Sequence, residues 1–206
     1  MKLRPYWIFF VLAALAVGGF VGALGFNEIN HARTKGLQVS IEKPLPDFSL
    51  TAHTGKTVDK ISMIGKVWVA DFIFTTCPGP CQEMSRKMKE IQDALAGAKN
   101  VELVSFTVNP DQDTPEILAK YGQKYGAADN WVFLTGPKKA IYDLAQNGFQ
   151  LSVMDTGGEG KLEDQFIHST KLAVVDRSGN VRAYFDGQAP DVAQQVAASV
   201  RHWLLN

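Results

Sequence analysis

The stretch that decides the fold reads Val67-Trp68-Val69-Ala70-Asp71-Phe72-Ile73-Phe74-Thr75-Thr76-Cys77-Pro78-Gly79-Pro80-Cys81. Its first eight residues are apolar except for Asp71, which is typical of a strand that is buried on both faces. Cys77 and Cys81 follow this strand directly and are the only two cysteines among 206 residues. A buried strand would therefore deliver both sulfurs to one end of a sheet, where they can bridge each other or share a soft metal ion.

The chain after residue 43 alternates strands and helices in the order of an α/β fold. We predict strands at 48–51, 57–58, 67–74, 101–108, 131–134, 149–154, 171–175 and 181–185, helices at 80–96, 114–125, 138–146 and 190–204, and a glycine-rich loop at 155–164. This order predicts a thioredoxin-like sandwich, in which helices flank a mixed central sheet. The cysteines fall at the join of the first central strand and its helix.

An apolar segment near the amino terminus predicts a membrane anchor. Tyr6–Phe26 holds 21 residues without a charge, which is long enough to cross a hydrocarbon core of about 30 Å. Ala23-Leu24-Gly25 has a small-x-small pattern that a signal peptidase could use, so cleavage stays an alternative. Lys2 and Arg4 on the short side favour a single-pass protein whose soluble domain lies on the non-cytoplasmic, periplasmic or outer, face.

These observations predict three parts in the chain. Residues 1–26 are the single N-terminal transmembrane helix or an uncleaved signal, 27–43 form a polar tether, and 44–206 form one thioredoxin-like domain. Beyond residue 35 the chain carries 17 basic and 20 acidic residues, which argues against a nucleic-acid partner.

Four motifs between residues 74 and 169 carry a resemblance to a known family. They are Phe74-Thr75-Thr76-Cys77-Pro78-Gly79-Pro80-Cys81, Ser105-Phe106-Thr107-Val108-Asn109-Pro110-Asp111-Gln112-Asp113-Thr114-Pro115, Trp131-Val132-Phe133-Leu134-Thr135-Gly136 and His168-Ser169. In this order they resemble the Sco/SenC family of copper proteins over roughly residues 40–205. The resemblance implies a membrane-anchored thioredoxin-like domain that binds one copper ion through Cys77, Cys81 and His168 and helps to assemble the copper centre of cytochrome c oxidase.

The sequence departs from the family pattern at three positions. Gln82 stands where a proline usually follows the second cysteine, Asn109 replaces a frequent acidic residue, and Ile167 replaces an acidic residue often found before the histidine. No ligand is lost. The last two changes could alter how the imidazole is oriented or how a partner docks, because carboxylates around a metal site commonly fix the histidine ring.

The residues themselves leave the role of the cysteines open. Thiols at a helix N-terminus have depressed pKa values, which favours both metal ligation and disulfide exchange. A structural disulfide between Cys77 and Cys81 would close a loop of only five residues and add little stability. His168 distinguishes metal binding from disulfide chemistry at the cysteines. Two thiolates and one imidazole make a trigonal site suited to Cu(I) and able to retain Cu(II).

The other polar or sulfur-bearing candidates receive structural interpretations. Met84 and Met88 extend the stripe of Cys81 along a helix and are interpreted as core. Asp71 must find a hydrogen-bond partner or lie at a sheet edge, with proton transfer to Cys77 as an alternative. We interpret Asp111 and Asp113 mainly as turn and helix-start residues, and the remaining histidines as solvated or hydrogen-bonded side chains: His31, His53 and His202.

Two functions follow from these patterns. In the first, the protein is a copper chaperone that takes one ion, as Cu(I), Cu(II) or both, from an upstream copper donor and delivers it to the copper-binding subunit of cytochrome c oxidase. This carrier is not an enzyme. In the second, it is a thiol–disulfide reductase, in which Cys77 attacks and Cys81 resolves, and it maintains the copper-ligand cysteines of the oxidase subunit.

Overall fold

A seven-stranded mixed sheet forms the centre of the computed structural model, which describes residues 44–77, 79–151 and 169–206. The strands are β1 (Ser49–Ala52), β2 (Thr57–Asp59), β3 (Val67–Ile73), β4 (Val101–Thr107), β5 (Trp131–Thr135), β6 (Lys171–Val175) and β7 (Val181–Asp186). The helices are α1 (Lys60–Met63), α2 (Pro80–Ala94), α3 (Pro115–Tyr125), α4 (Lys138–Asp143), a π-helical turn (Leu144–Gly148) and α5 (Val192–Leu205). The strand order is β2-β1-β5-β4-β3-β6-β7, in which β3, β4 and β5 are parallel and β6 is antiparallel to β3.

Strand β3 is buried along its whole length, as its apolar sequence predicts. All seven residues are buried, and alternate side chains enter two different cores. Val69 and Ile73 pack in the core that α2, α3 and α5 cover. Trp68 and Phe72 pack in the second core, beneath α4 and the π-helical turn. A strand that is covered on both faces favours apolar side chains along its whole length, and the sequence shows this pattern at every position except Asp71.

The helices that flank the cysteines start and end at recognisable signals. Helix α2 begins with Pro80 in its first turn, where the missing N–H costs nothing, and its apolar stripe of Met84, Met88 and Ile91 is fully buried. Helix α3 begins after Thr114, whose hydroxyl accepts a hydrogen bond from the backbone N–H of Ile117. The prediction that Met84 and Met88 belong to the core is confirmed.

The described chain enters the domain at the edge of the sheet opposite the cysteines. Pro44 forms an isolated bridge with Asn180, and the backbone N–H of Leu45 donates to the carbonyl of Gly179 at 3.1 Å. These partners lie in the turn between β6 and β7, whose Arg177 carbonyl accepts from Gly65, just before β3. Because Cys77 lies beyond the other end of β3, chain entry and cysteines are at opposite edges.

Three local features of the structure differ from the predictions. The short helix α1 was not predicted; Asp59 and Ser62 form a capping box around its single turn. The predicted helix at 138–146 is α4 followed by the π-helical turn. The predicted strand at 149–154 is wrong over 149–151, because Phe149 and Leu151 donate their backbone N–H groups back to Leu144 and Ala145.

The predicted membrane segment, tether and loop at 155–164 lie outside the described residues, as does 152–154. Within the described ranges, no helix combines the length and hydropathy that a bilayer span requires. The described residues belong to one structural unit, Gly36–Asn206.

Asp71 is the one charged residue inside β3, and it is not exposed at a sheet edge. It lies in a central strand with no exposed surface, and neither carboxyl oxygen has a hydrogen-bond partner among the described residues. Its neighbour in β4 is Ser105, whose hydroxyl accepts from Trp131 Nε1 at 2.9 Å. Burial raises the pKa of Asp71 to about 7, and the nearby Ser105 hydroxyl opposes that rise only in part.

The raised pKa of Asp71 predicts a loss of stability with rising pH. The protonated form favours folding, so its contribution is complete below the ordinary pKa of 3.8 and is lost as the pH rises through about 7. We expect Asp71→Asn to remove this dependence, and to gain up to about 4 kcal/mol relative to the wild type between about pH 4 and pH 8. Urea unfolding of both reduced proteins across this range measures the difference; parallel pH profiles would contradict it.

Candidate metal centre

The two cysteines lie together where β3 leads into α2. Cys77 follows β3 through a turn in which its backbone N–H donates to the carbonyl of Phe74 at 3.2 Å, and Cys81 is the second residue of α2. Both are free thiols, and they are 3 % and 7 % exposed. The two side chains are close enough to share a hydrogen bond, so the predicted convergence of the sulfurs is confirmed.

The Cys81 thiol is harder to ionise than the sequence predicts. Burial raises the pKa of Cys81 to about 12, and the hydrogen bond and charge of Cys77 and the charge of Asp71 add to the rise. The expectation of a depressed pKa at the helix N-terminus is therefore wrong for Cys81. In a site this poor in solvent, the cost of an unpaired negative charge exceeds the benefit of the helix dipole.

Gln82 holds the loop between the cysteines. Its Nε2 donates to the carbonyl of Cys77 at 3.3 Å. This is the position where the family pattern has a proline, which has no side-chain donor to make that bond. The departure from the pattern therefore removes no contact to the thiols and adds one hydrogen bond across the loop.

Asp113 contacts the loop before Cys77, which the sequence did not indicate. It has no exposed surface and accepts hydrogen bonds from Thr75 and from Thr107. We interpreted it as a turn residue. It is one, since its own N–H donates to the carbonyl of Asn109, but its carboxylate also reaches back to the segment after β3. That contact depends on the pairing of β3 with β4, so no local sequence pattern reveals it.

His168 lies outside the described residues, and the chain resumes at Ser169. Strand β6 is antiparallel to β3, with Ala173 opposite Ala70, so β6 begins toward the end of β3 from which the cysteine loop leaves. Just before it, the carbonyl of Thr170 accepts from the backbone N–H of Gly187 at 2.7 Å. A Cβ on Gly187 would lie 3.3 Å from Met84 of α2. The segment that follows His168 thus passes beside the helix that carries Cys81.

A complete metal site is not present within 44–77, 79–151 and 169–206. No group of three or more His, Cys, Asp or Glu side chains in those ranges could hold a metal ion. His53 accepts a hydrogen bond from the backbone N–H of Phe133, as its structural interpretation predicts, and His202 is exposed near the end of α5. Asp111 is also exposed, whereas His31 lies outside the described residues.

The family model for SCO1/SenC matches residues 40–205. The chain belongs to the SCO1/SenC family. It is 36 % identical over 143 residues to the SCO1 protein homolog of Bacillus subtilis (strain 168), a match that covers 68 % of this chain and 72 % of the relative. The family resemblance seen in the sequence is therefore confirmed.

Solved structures of Sco proteins share the fold. A SCO1/SenC family lipoprotein from Bacillus anthracis str. Ames superposes with a TM-score of 0.69 at 30 % identity, covering 82 % of this chain and 97 % of the other. BsSco, a member of the Sco family of cytochrome c oxidase assembly proteins with a disulfide switch, gives 0.70 at 29 % identity and covers 82 % and 98 %. The predicted thioredoxin-like α/β fold, with a mixed sheet flanked by helices, is confirmed.

A copper-bound structure is among the more distant Sco neighbours. ScoI of Bradyrhizobium japonicum with copper bound has a TM-score of 0.65 at 21 % identity and covers 79 % of this chain and 100 % of the other. At that identity the likeness concerns the fold.

The high pKa of Cys81 predicts a slow reaction with alkylating reagents. In Cys77→Ala, burial still disfavours the Cys81 thiolate, and the thiolate is the reacting species. We expect iodoacetamide to modify Cys81 at about pH 8 at least about ten times more slowly in the folded protein than in urea. Mass spectrometry of quenched samples measures both rates, and equal rates would show that the thiol ionises normally in the fold.

Proposed function

We propose that this Sco protein is a membrane-anchored copper chaperone that holds one copper ion through Cys77, Cys81 and His168. It delivers the ion to the dinuclear copper centre of cytochrome c oxidase. The observation that carries the proposal is the pair of free, adjacent thiols at the edge of the sheet, since thiolates are the ligands that select Cu(I).

The two cysteines supply two ligands for one copper ion, and the proposed third ligand comes from another part of the chain. No third metal-binding side chain joins the cysteines within the described ranges. His168 is the residue before Ser169, and Ser169 and Thr170 lead into β6 from the cysteine edge. An imidazole added to two thiolates makes a trigonal site that suits Cu(I) and can retain Cu(II). ScoI of Bradyrhizobium japonicum, which has the same fold, binds copper.

Delivery would proceed by ligand exchange with the oxidase subunit. Cysteines of the partner replace Cys77 and Cys81 one at a time, and no covalent turnover of a substrate is needed. The two sulfurs are buried, so transfer requires the loop between them to open. Thr76, Gly79 and Pro80 are exposed beside the buried thiols, so the two sulfurs lie close to the protein surface. An oxidase partner agrees with the role of BsSco, whose family assembles cytochrome c oxidase.

The proposed anchor is the uncharged segment Tyr6–Phe26, with the domain on the non-cytoplasmic face, periplasmic or outer. The first described residue, Pro44, pairs with Asn180 at the edge of the sheet opposite the cysteines, so the proposed anchor precedes a part of the chain that lies away from the two thiols. The related protein of Bacillus anthracis is a lipoprotein.

A thiol–disulfide reductase is the second candidate. Two free cysteines in hydrogen-bond contact can form a disulfide with little movement, and BsSco has a disulfide switch. In this role Cys77 attacks a disulfide of the oxidase subunit and Cys81 resolves the mixed disulfide. His168 is then dispensable, which separates the two functions.

Copper titration of the reduced full chain in detergent tests the carrier. We expect one equivalent of copper, with strong thiolate-to-Cu(II) absorption, and we expect His168→Ala to lose that absorption and to weaken retention at least about tenfold, because one of three ligands is gone. His202→Ala, which removes an exposed histidine on α5, serves as the matched control and should behave as the wild type.

Two results would count against this function. A wild-type chain that retains no copper would remove the carrier and leave the reductase. Unchanged copper binding in His168→Ala would exclude the histidine as a ligand.

A further inference from the structure

Asp113 is a buried carboxylate that serves the segment carrying Cys77. It has no exposed surface, and its two oxygens accept three hydrogen bonds. Oδ2 accepts from the backbone N–H of Thr75 at 3.1 Å and from the hydroxyl of Thr107 at 2.5 Å, and Oδ1 accepts from the hydroxyl of Thr75 at 2.5 Å. Hydrogen bonds to an ionised acceptor in a solvent-poor site are about twice as strong as those between neutral groups.

The three hydrogen bonds of Asp113 join parts of the chain that are distant in sequence. Thr75 is two residues before Cys77, Thr107 is the last residue of β4, and Asp113 directly precedes the N-cap of α3. Within the sheet, Thr107 is the register partner of Ile73, the last residue of β3. The carboxylate therefore ties the first residues after β3 to the end of β4.

The bonds fix Thr75 in both its backbone and its side chain. Its N–H and its hydroxyl end on the same carboxylate, so neither the peptide plane nor χ1 of Thr75 can turn without losing a hydrogen bond. Beyond it, the hydrogen bonds of the Cys77 backbone are local: its N–H donates to Phe74 and its carbonyl accepts from Gln82. Asp113 thus links the segment before Cys77 to the end of strand β4, whereas the backbone hydrogen bonds of Cys77 stay within residues 74–82.

We propose that Asp113 is a positioning residue that sets the distance and orientation of the Cys77 thiol relative to Cys81. This inference rests on the proposed copper site. A metal site responds strongly to the groups that orient its ligands, and loss of such a group typically lowers affinity by about 10 to 100-fold. Asp113 acts through Thr75 and touches no metal.

Substitutions at both ends of the contact test the proposal. Asp113→Asn keeps the size of the side chain but turns one acceptor into an NH₂ group, which only donates, so the three hydrogen bonds from Thr75 and Thr107 cannot all be kept. Thr75→Val keeps the shape and removes the hydroxyl donor. Thr75→Ser keeps the hydroxyl and should stay closer to the wild type than Thr75→Val.

Asp176 provides the matched control. It is 6 % exposed and also accepts three hydrogen bonds, from the backbone N–H groups of Ser178 and Asn180 and from Nε of Arg182. Ser178 and Asn180 lie in the β6–β7 turn and Arg182 is the second residue of β7, at the edge opposite the cysteines. Asp176→Asn therefore disturbs a buried aspartate of the same kind without reaching the copper site.

Two measurements on the reduced full chain in detergent separate positioning from stability. The first is copper affinity together with the absorption and EPR spectrum of the Cu(II) form. The second is the reduction potential of the Cys77–Cys81 disulfide in glutathione buffers, which needs no copper. For Asp113→Asn and Thr75→Val we expect at least about tenfold weaker copper binding, a shifted spectrum, and a tenfold change in the disulfide equilibrium, which corresponds to about 30 mV.

The measurements distinguish failure of the Asp113 proposal from failure of the proposed copper-carrier function. Asp176→Asn should lower the melting temperature yet keep the wild-type spectrum, affinity and potential. Wild-type spectra, affinities and potentials in both Thr75→Val and Asp113→Asn would overturn the proposal, as would equal changes in Asp176→Asn. If the wild type binds no copper, the carrier function fails, and the reduction potential alone decides the role of Asp113. If Asp113→Asn does not fold, Thr75→Val decides it.

Discussion

Burial of β3 on both faces is the constraint on which the rest of the structure depends. The strand lies between β4 and β6 in the middle of the sheet, and its side chains fill two separate cores. A strand held this firmly ends at a fixed place, and Thr75 and Cys77 follow two and four residues after its last residue, Ile73. The sheet therefore brings the cysteine segment to one place, where the contact of Thr75 with Asp113 and the local hydrogen bonds of Cys77 hold it.

The same burial determines the chemistry of the site. Cys81 and Asp71 have raised pKa values for one shared reason, which is that little solvent reaches the core beneath α2. Without metal, the Cys81 thiol therefore keeps its proton at neutral pH. Because a metal ion needs thiolate ligands, copper binding must release a proton from Cys81, and the charge of the ion then offsets the negative charge of the sulfur. Under the proposed function, each loading with copper would therefore exchange the Cys81 proton for the metal.

The sequence predicted what periodicity and local signals control. The buried strand, the proline-led helix α2 and the pair of adjacent thiols all follow from the stretch 67–81. The predicted strand at 149–154 is wrong over 149–151, because Phe149 and Leu151 donate their backbone N–H groups to the π-helical turn. The role of Asp113 could not be predicted either, since it requires the pairing of β3 with β4. The first difference comes from local backbone hydrogen bonds of an irregular turn, and the second from a contact between segments that are distant in sequence.

The proposed function requires one copper ion to bind both sulfurs at one edge of the sheet. X-ray absorption fine structure at the copper edge of the loaded full chain reads the ligand atoms directly. The account predicts two sulfur scatterers and one imidazole nitrogen around a single copper ion. A first coordination shell of nitrogen and oxygen alone, or one with a single sulfur, would contradict it.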